Sequence, residues 1–292
     1  MSRSERSDTI IRSLGATPVR CDLESLAAGD LPACDAVIHC AAYVEPWGAR
    51  EQYWRVNVEG TDRMLEASRA AGARRFIHIS TEAVLWRGQH LRDVDESHPY
   101  PQSTPILYSE TKAEAERHVL AANAPGEFDV IVLRPRFVWG PGDTTLVPAA
   151  REMVEKGAFV WLDGGRARTS TTHVYNLVHA VTLALDRGRG GEVYFVTDGH
   201  TTDFKTFLVP LLRAHGVELP ERSLPSWLAR PVAVVIEGVW RALRLRGEPP
   251  LTRHAVGLMR CDCTLRDDKA RKELGYEPVI DVEEGLRRLA SA

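Results

Sequence analysis

The chain has 292 residues, 44% of them hydrophobic, which is enough for one large domain or a core domain with a smaller cap. A formal charge of −3 excludes a general attraction to nucleic acid or to anionic membrane. Five cysteines, Cys21, Cys34, Cys40, Cys261 and Cys263, form an odd set without Cys-x-x-Cys, which suits free thiols in a reducing cytoplasm and argues against zinc. No apolar run approaches the roughly 18 residues of a spanning helix, and the Ser/Arg-rich start has no signal-peptide core, so a cytoplasmic protein is expected.

In chain order, residues 17–20, 36–40, 75–80, 129–133 and 192–196 are short β-rich runs that read as buried strands. Helical patterns lie between them at 50–71, 105–122, 146–156 and 174–186. This alternation predicts an α/β fold, a Rossmann-like doubly wound parallel sheet with helices on both faces. Beyond about residue 200 the pattern is mostly helical, broken at Pro210, Pro220, Pro225, Pro231, Pro249 and Pro250. The expected division is therefore a core over residues 1–200 and a helical substrate cap over 201–292, with an interleaved boundary. Within the cap, residues 226–246 carry an apolar stripe ending in Arg241, Arg244 and Arg246. Packing into the cap over a substrate pocket is the preferred reading of that stripe, with membrane-surface contact the lesser one.

Open parallel sheets bind ligands beyond the carboxyl ends of their strands. There the sequence delivers Ser80 and Thr81, the small residues Cys40, Ala41 and Ala42, and the run from Arg134 to Gly142. On the 105–122 helix, Tyr108 and Lys112 are four apart and share a face, with Cβ atoms about 5 to 6 Å apart. A fixed ammonium beside a phenol favours the phenolate and lowers a tyrosine pKa from its usual value of about 10. The spacing is common on solvated helices, and it is the two hydroxyls at a strand end that make it a proton-transfer site. Asn57 reads as a structural polar anchor, His39 and His173 as locally hydrogen-bonded, and Arg136 as either a substrate contact or half of an ion pair.

Six segments, residues 21–23, 36–42, 57–61, 78–84, 108–112 and 134–142, occur in an order that resembles the extended short-chain dehydrogenase/reductase family, or NAD-dependent epimerase/dehydratase superfamily. Residues 248–253 and 269–278 are similar to its 3β-hydroxysteroid dehydrogenase branch, which includes bacterial 2-alkyl-3-oxoalkanoate reductases. The resemblance implies an NAD(P)-dependent oxidoreductase that interconverts a secondary alcohol and a ketone on an apolar substrate, steroid-like or long-chain 3-oxoacyl. It also implies that homodimers are common. By resemblance Tyr108 is the acid/base, Lys112 lowers its pKa and holds the nicotinamide ribose, and Thr81, with Ser80 beside it, holds the substrate oxygen. Asp22 would meet the adenine amine, Cys40, Ala41 and Ala42 would line the cofactor, and Pro135 would precede the backbone that touches the nicotinamide. No metal ligand set is expected.

The family's Gly-x-x-Gly-x-x-Gly turn, whose amides hold the pyrophosphate, does not occur after a strand in this sequence. Aligned by resemblance, the first strand, its helix and the second strand fall before Met1, so the expectation is a sequence shortened at its start. Arg3 and Arg6 lean towards NADP over NAD. Two alternatives stand beside the main reading: a nucleotide-sugar epimerase or dehydratase, and a non-catalytic remnant with weak or no cofactor binding.

Overall fold

In the computed structural model, which describes residues 1–45, 47–243, 245, 247 and 249–291, the strands Ala36–His39, Arg75–Ile79, Asp129–Pro135 and Glu192–Val196 form one parallel sheet in that spatial order. The central strands are near-continuous apolar runs because helices cover both faces. Side chains alternate along them. Phe76, Val130 and Val132 pack to one side with Met64, Leu65 and Val119, while Ile77, Ile131 and Leu133 pack to the other with Ala180, Ala184 and Leu274. The doubly wound sheet expected from the alternation is what forms.

The helices are α1 (Glu5–Ser13), α2 (Arg50–Trp54), α3 (Gly60–Ala70), α4 (Leu107–Ala121), α5 (Leu146–Glu155), α6 (Val174–Arg187), α7 (Phe204–Ala214), α8 (Ser226–Ala242), α9 (Arg253–Arg260), α10 (Asp268–Leu274) and α11 (Val282–Ala290). A π turn, Arg55–Glu59, joins α2 to α3 and holds Asn57 in the interior. The Asn57 amide accepts from the Tyr43 N–H at 2.6 Å and donates to the Tyr43 carbonyl at 3.1 Å and to Thr111 Oγ1 at 3.1 Å. It thereby ties the loop after the Ala36–His39 strand to α4, the anchoring role expected of it.

The predicted strand at 17–20 does not form. Only a single parallel bridge links Ser2 to Arg20. Pro18 supplies no amide donor, which confines such a segment to isolated pairing. A second, mixed sheet joins Leu91–Val94, Cys263–Leu265, Arg168–Thr169 and Thr202–Asp203.

A separate apolar cluster contains Trp139, Phe159, Trp161, Phe207 and Leu211, with Val147 and Ala150 of α5 and Ala229 and Ala233 of α8. By contrast α10 packs against the main sheet through Ala270 and Leu274. The chain thus crosses between the two cores more than once. On α8 the small residues face inward, and Trp227 at 71% and Val235 at 64% exposure face solvent. This corrects the expectation that the large residues of the stripe all pack into the cap: Ala229, Ala233 and Glu237 are the buried positions, Ile236 and Trp240 are half-buried, and the others lie outside. Arg244 and Arg246 lie outside the described residues. No described helix is long and apolar enough to cross a membrane.

Candidate active site

The first two turns of α4 carry Tyr108 and Lys112 to the carboxyl end of the Arg75–Ile79 strand. Lys112 is buried, and its Nζ donates to the Ile79 carbonyl at 3.0 Å and stands 3.4 Å from His78 Nε2. Burial lowers its pKa to about 8, against the opposing pull of Glu116 and Cys40, so it remains a cation at neutral pH. Thr81 follows the strand directly. Its hydroxyl accepts from the Ala83 N–H at 3.2 Å and donates to Glu82 Oε2 at 2.8 Å.

Tyr108 stands beside Thr81. Burial, and then the negative Glu82, push its pKa up, while the neighbouring Thr81 hydroxyl opposes the shift. The expectation that Lys112 lowers this pKa is therefore corrected for the structure as it stands. The ammonium is engaged by the strand-end carbonyl, and the charge acting on the phenol is Glu82.

Ser80 takes a different part from the one expected of it. Its hydroxyl donates to Glu116, which is fully buried and also accepts from Tyr100 and from Arg134, whose Nε lies 3.1 Å from both carboxylate oxygens. Ser80 thus anchors a buried network under the site instead of meeting the substrate oxygen. Arg136 is half of an ion pair, with Glu82, and its Nε donates to Thr169 at 2.9 Å. His39 and His173 are locally bonded as expected: His39 Nε2 lies 3.1 Å from Thr61 Oγ1, and His173 Nδ1 caps α6 by accepting from the Tyr175 N–H.

Two buried histidines make stability pH-dependent. Burial, with Lys112 adding to it, holds the His39 pKa down at about 3 and puts that of His78 well below 6.5. The unfolded chain takes up these protons near pH 6.5 and the folded chain does not, so acid favours unfolding. His39 is expected to cost about 2 kcal/mol of stability between pH 7 and pH 5, and His78 acts in the same direction. Calorimetry at the two pH values checks this, and an unchanged Tm would contradict it.

At the cofactor end, Cys40 and Ala41 are exposed at the end of the Ala36–His39 strand, and Ala42 is half-buried. Burial of its thiol still pushes the Cys40 pKa up, while nearby Lys112 pulls it down. Pro135 is buried at the end of its strand, paired with Val196. Small exposed residues flanking a buried ammonium fit the ribose and nicotinamide end of a dinucleotide. No glycine-rich turn between a strand and a helix is present among the described residues for the pyrophosphate. Asp22 closes a surface turn, accepting from the Glu24 N–H at 2.9 Å, with Arg3 at 3.5 Å. No described contact joins it to the catalytic groups.

A pocket of about 490 Å³, open mouth included, reaches Tyr108. Val44, Trp47, Ile106 and Leu107 form its apolar wall, and Glu237 of α8 with Arg253 and His254 of α9 close it from the cap. Sequence reasoning missed Glu82, Glu116 and His254. Glu116 had a signal, since it continues the four-residue spacing of Tyr108 and Lys112, and Glu82 directly follows Thr81. His254 had none, because tertiary packing alone brings it there.

A Tyr and a Lys on one helix beside a strand-end Thr, in a doubly wound parallel sheet, define a short-chain dehydrogenase/reductase site. Within that class the chain belongs to the 3-beta hydroxysteroid dehydrogenase/isomerase family, whose profile matches residues 3–226. It is 42% identical to a 4-hydroxy-2-methyl-3-oxo-4-farnesyl-3,4-dihydroquinoline-1-oxide ketoreductase of Stigmatella aurantiaca, over 99% of this chain and 87% of the relative. It is 35% identical to a 2-alkyl-3-oxoalkanoate reductase of Stenotrophomonas maltophilia, over 88% of this chain and 80% of the relative. In fold it is similar to a UDP-glucuronic acid 4-epimerase from Bacillus cereus, with a TM-score of 0.71, 19% identity, and cover of 100% of this chain and 87% of that one.

Proposed function

We propose that the protein is a nicotinamide-dependent ketoreductase for an apolar ketone bearing an alkyl or prenyl chain. The observation that carries this reading is the cluster of Tyr108, Thr81 and Lys112 at the carboxyl ends of the parallel strands, with Tyr108 lining a pocket that has Val44, Trp47, Ile106 and Leu107 in its wall. Relatives named for reducing a farnesylated 3-oxo compound and a 2-alkyl-3-oxoalkanoate support the substrate class. NAD or NADP, when bound, supplies the hydride that no side chain can.

The chain's own residues supply the rest. Tyr108 keeps its proton at working pH because burial and Glu82 disfavour the phenolate. A carbonyl oxygen that gains hydride on its carbon becomes a far stronger base than a phenolate, so the proton passes from Tyr108 to that oxygen. Thr81 stands beside Tyr108 with its hydroxyl donating to Glu82, and Arg136 fixes that pair. The Lys112 cation acts on the exposed Cys40, beside which the ribose would lie. α5, α7, α8 and α9, with α11 packed against them, form the cap.

The test is NADPH consumption by the purified chain with a 2-alkyl-3-oxoalkanoate ester. Saturable turnover is expected, and a folded protein that consumes none with either NADPH or NADH would overturn the reading.

A further inference from the structure

His254 is a polar group of the pocket wall that the proposed chemistry leaves unused. It sits in the first turn of α9, and its ring lies 6.4 Å from the Tyr108 ring and 5.7 Å from the Trp86 ring, edge-on to both. No hydrogen bond joins either ring nitrogen to a described residue, and Nδ1 is buried without a partner. Unpaired buried polar groups are uncommon and ask for an explanation.

The position is rigidly built. Thr252 caps α9 by accepting from the Ala255 N–H at 3.0 Å, and Glu237 of α8 accepts from the Arg253 N–H at 2.6 Å and from its Nε at 2.7 Å. One turn on, Gly257 lies so close to Trp86 that a Cβ there would stand 2.3 Å from the indole. His254 and Gly257 share a helix face, so this contact aims the imidazole at the catalytic tyrosine. Trp86 in turn follows the 3₁₀ helix Glu82–Leu85 that begins at Thr81. The cap is thereby clamped to the catalytic loop with His254 at the junction.

The ring is neutral at working pH. Burial and the Arg136 cation hold its pKa near 4, against the pull of Glu237. A neutral imidazole carries one proton, and with Nδ1 enclosed the proton is of use only on Nε2, where a ligand can meet it.

We propose that His254 is a specificity residue: its Nε2–H donates to a second oxygen of the substrate, carried within roughly two carbons of the ketone. The proposal rests on the ketoreductase reading. Both relatives' substrate names place an oxygen there, as a 4-hydroxyl next to a 3-oxo group or as a carboxylate beyond one. A donor held in the pocket wall beside Tyr108 selects oxygenated ketones, because a plain ketone leaves that donor unpaired.

The test compares a 2-alkyl-3-oxoalkanoate ester with a plain long-chain ketone of equal length, in wild type, His254→Leu and His254→Gln, following kcat/KM. Wild type is expected to prefer the ester. His254→Leu should lower kcat/KM for the ester by roughly ten- to a hundredfold, mostly in KM, and change the plain ketone less than about threefold. His254→Gln, which keeps a donor, should restore part of the preference. If His254→Leu turns over both ketones with the wild-type preference, or lowers both equally, the proposal is overturned and the reductase reading stands. If wild type reduces neither ketone, both are overturned.

Discussion

Replacing Tyr108 with Phe is expected to lower kcat for ketone reduction by roughly a thousandfold, within the range of about 10² to 10⁴ for loss of a positioned proton donor. That is about 4 kcal/mol of transition-state stabilisation. The ring itself packs against the buried cluster that includes Val84, Leu91 and Phe195, and Phe preserves that packing. Stability and cofactor affinity should accordingly stay near wild type, and KM for the ketone should change little, because the lost interaction belongs to the transition state. Steady-state kinetics beside a thermal melt separate the two effects. A kcat within tenfold of wild type would remove Tyr108 from the role of acid, and an equal loss in Thr81→Val alone would transfer the role to Thr81.

The largest effect on stability is expected at Arg134. Its guanidinium is 2% exposed and faces the wholly buried Glu116, which also accepts from Ser80 and Tyr100. In Arg134→Met the carboxylate keeps those neutral donors and the Lys112 cation nearby, and loses the guanidinium bonded to it. Breaking such a pair costs about 3 to 5 kcal/mol. For a chain of this size that is a fall in Tm of about 6 to 20 °C. The double variant Arg134→Met with Glu116→Leu should recover much of the loss, because it removes both charges instead of stranding one. Calorimetry on the three proteins decides it: a single variant within about 1 kcal/mol of wild type would mean that water or another cation reaches Glu116.

The central sheet was legible because runs such as Val130 to Leu133 are apolar on both faces, which is the mark of a strand buried between helices. The Tyr108 and Lys112 pair was legible for a comparable reason, since helical spacing fixes a shared face. What spacing does not fix is where a flexible side chain ends. Lys112 bonds the Ile79 carbonyl, and Ser80 turns down to Glu116, because a buried ammonium and a buried carboxylate each draw the nearest partner. Residues 17–20 misled because their β-rich composition outweighed Pro18, which cannot donate to a ladder. The pocket's far wall was out of reach: His254 and Glu237 lie well over a hundred residues from Tyr108 and meet it only through packing of α8 and α9.

The central claim is that this site adds a hydride to a ketone carbon while Tyr108 protonates its oxygen. It is tested most directly by supplying NADPH deuterated at the transferable position of the nicotinamide, with a 2-alkyl-3-oxoalkanoate ester, and locating the label by mass spectrometry. One deuterium is expected on the new carbinol carbon in wild type, and almost none from Tyr108→Phe in the same time. Alcohol without the label, or labelled alcohol made equally fast by Tyr108→Phe, would contradict it.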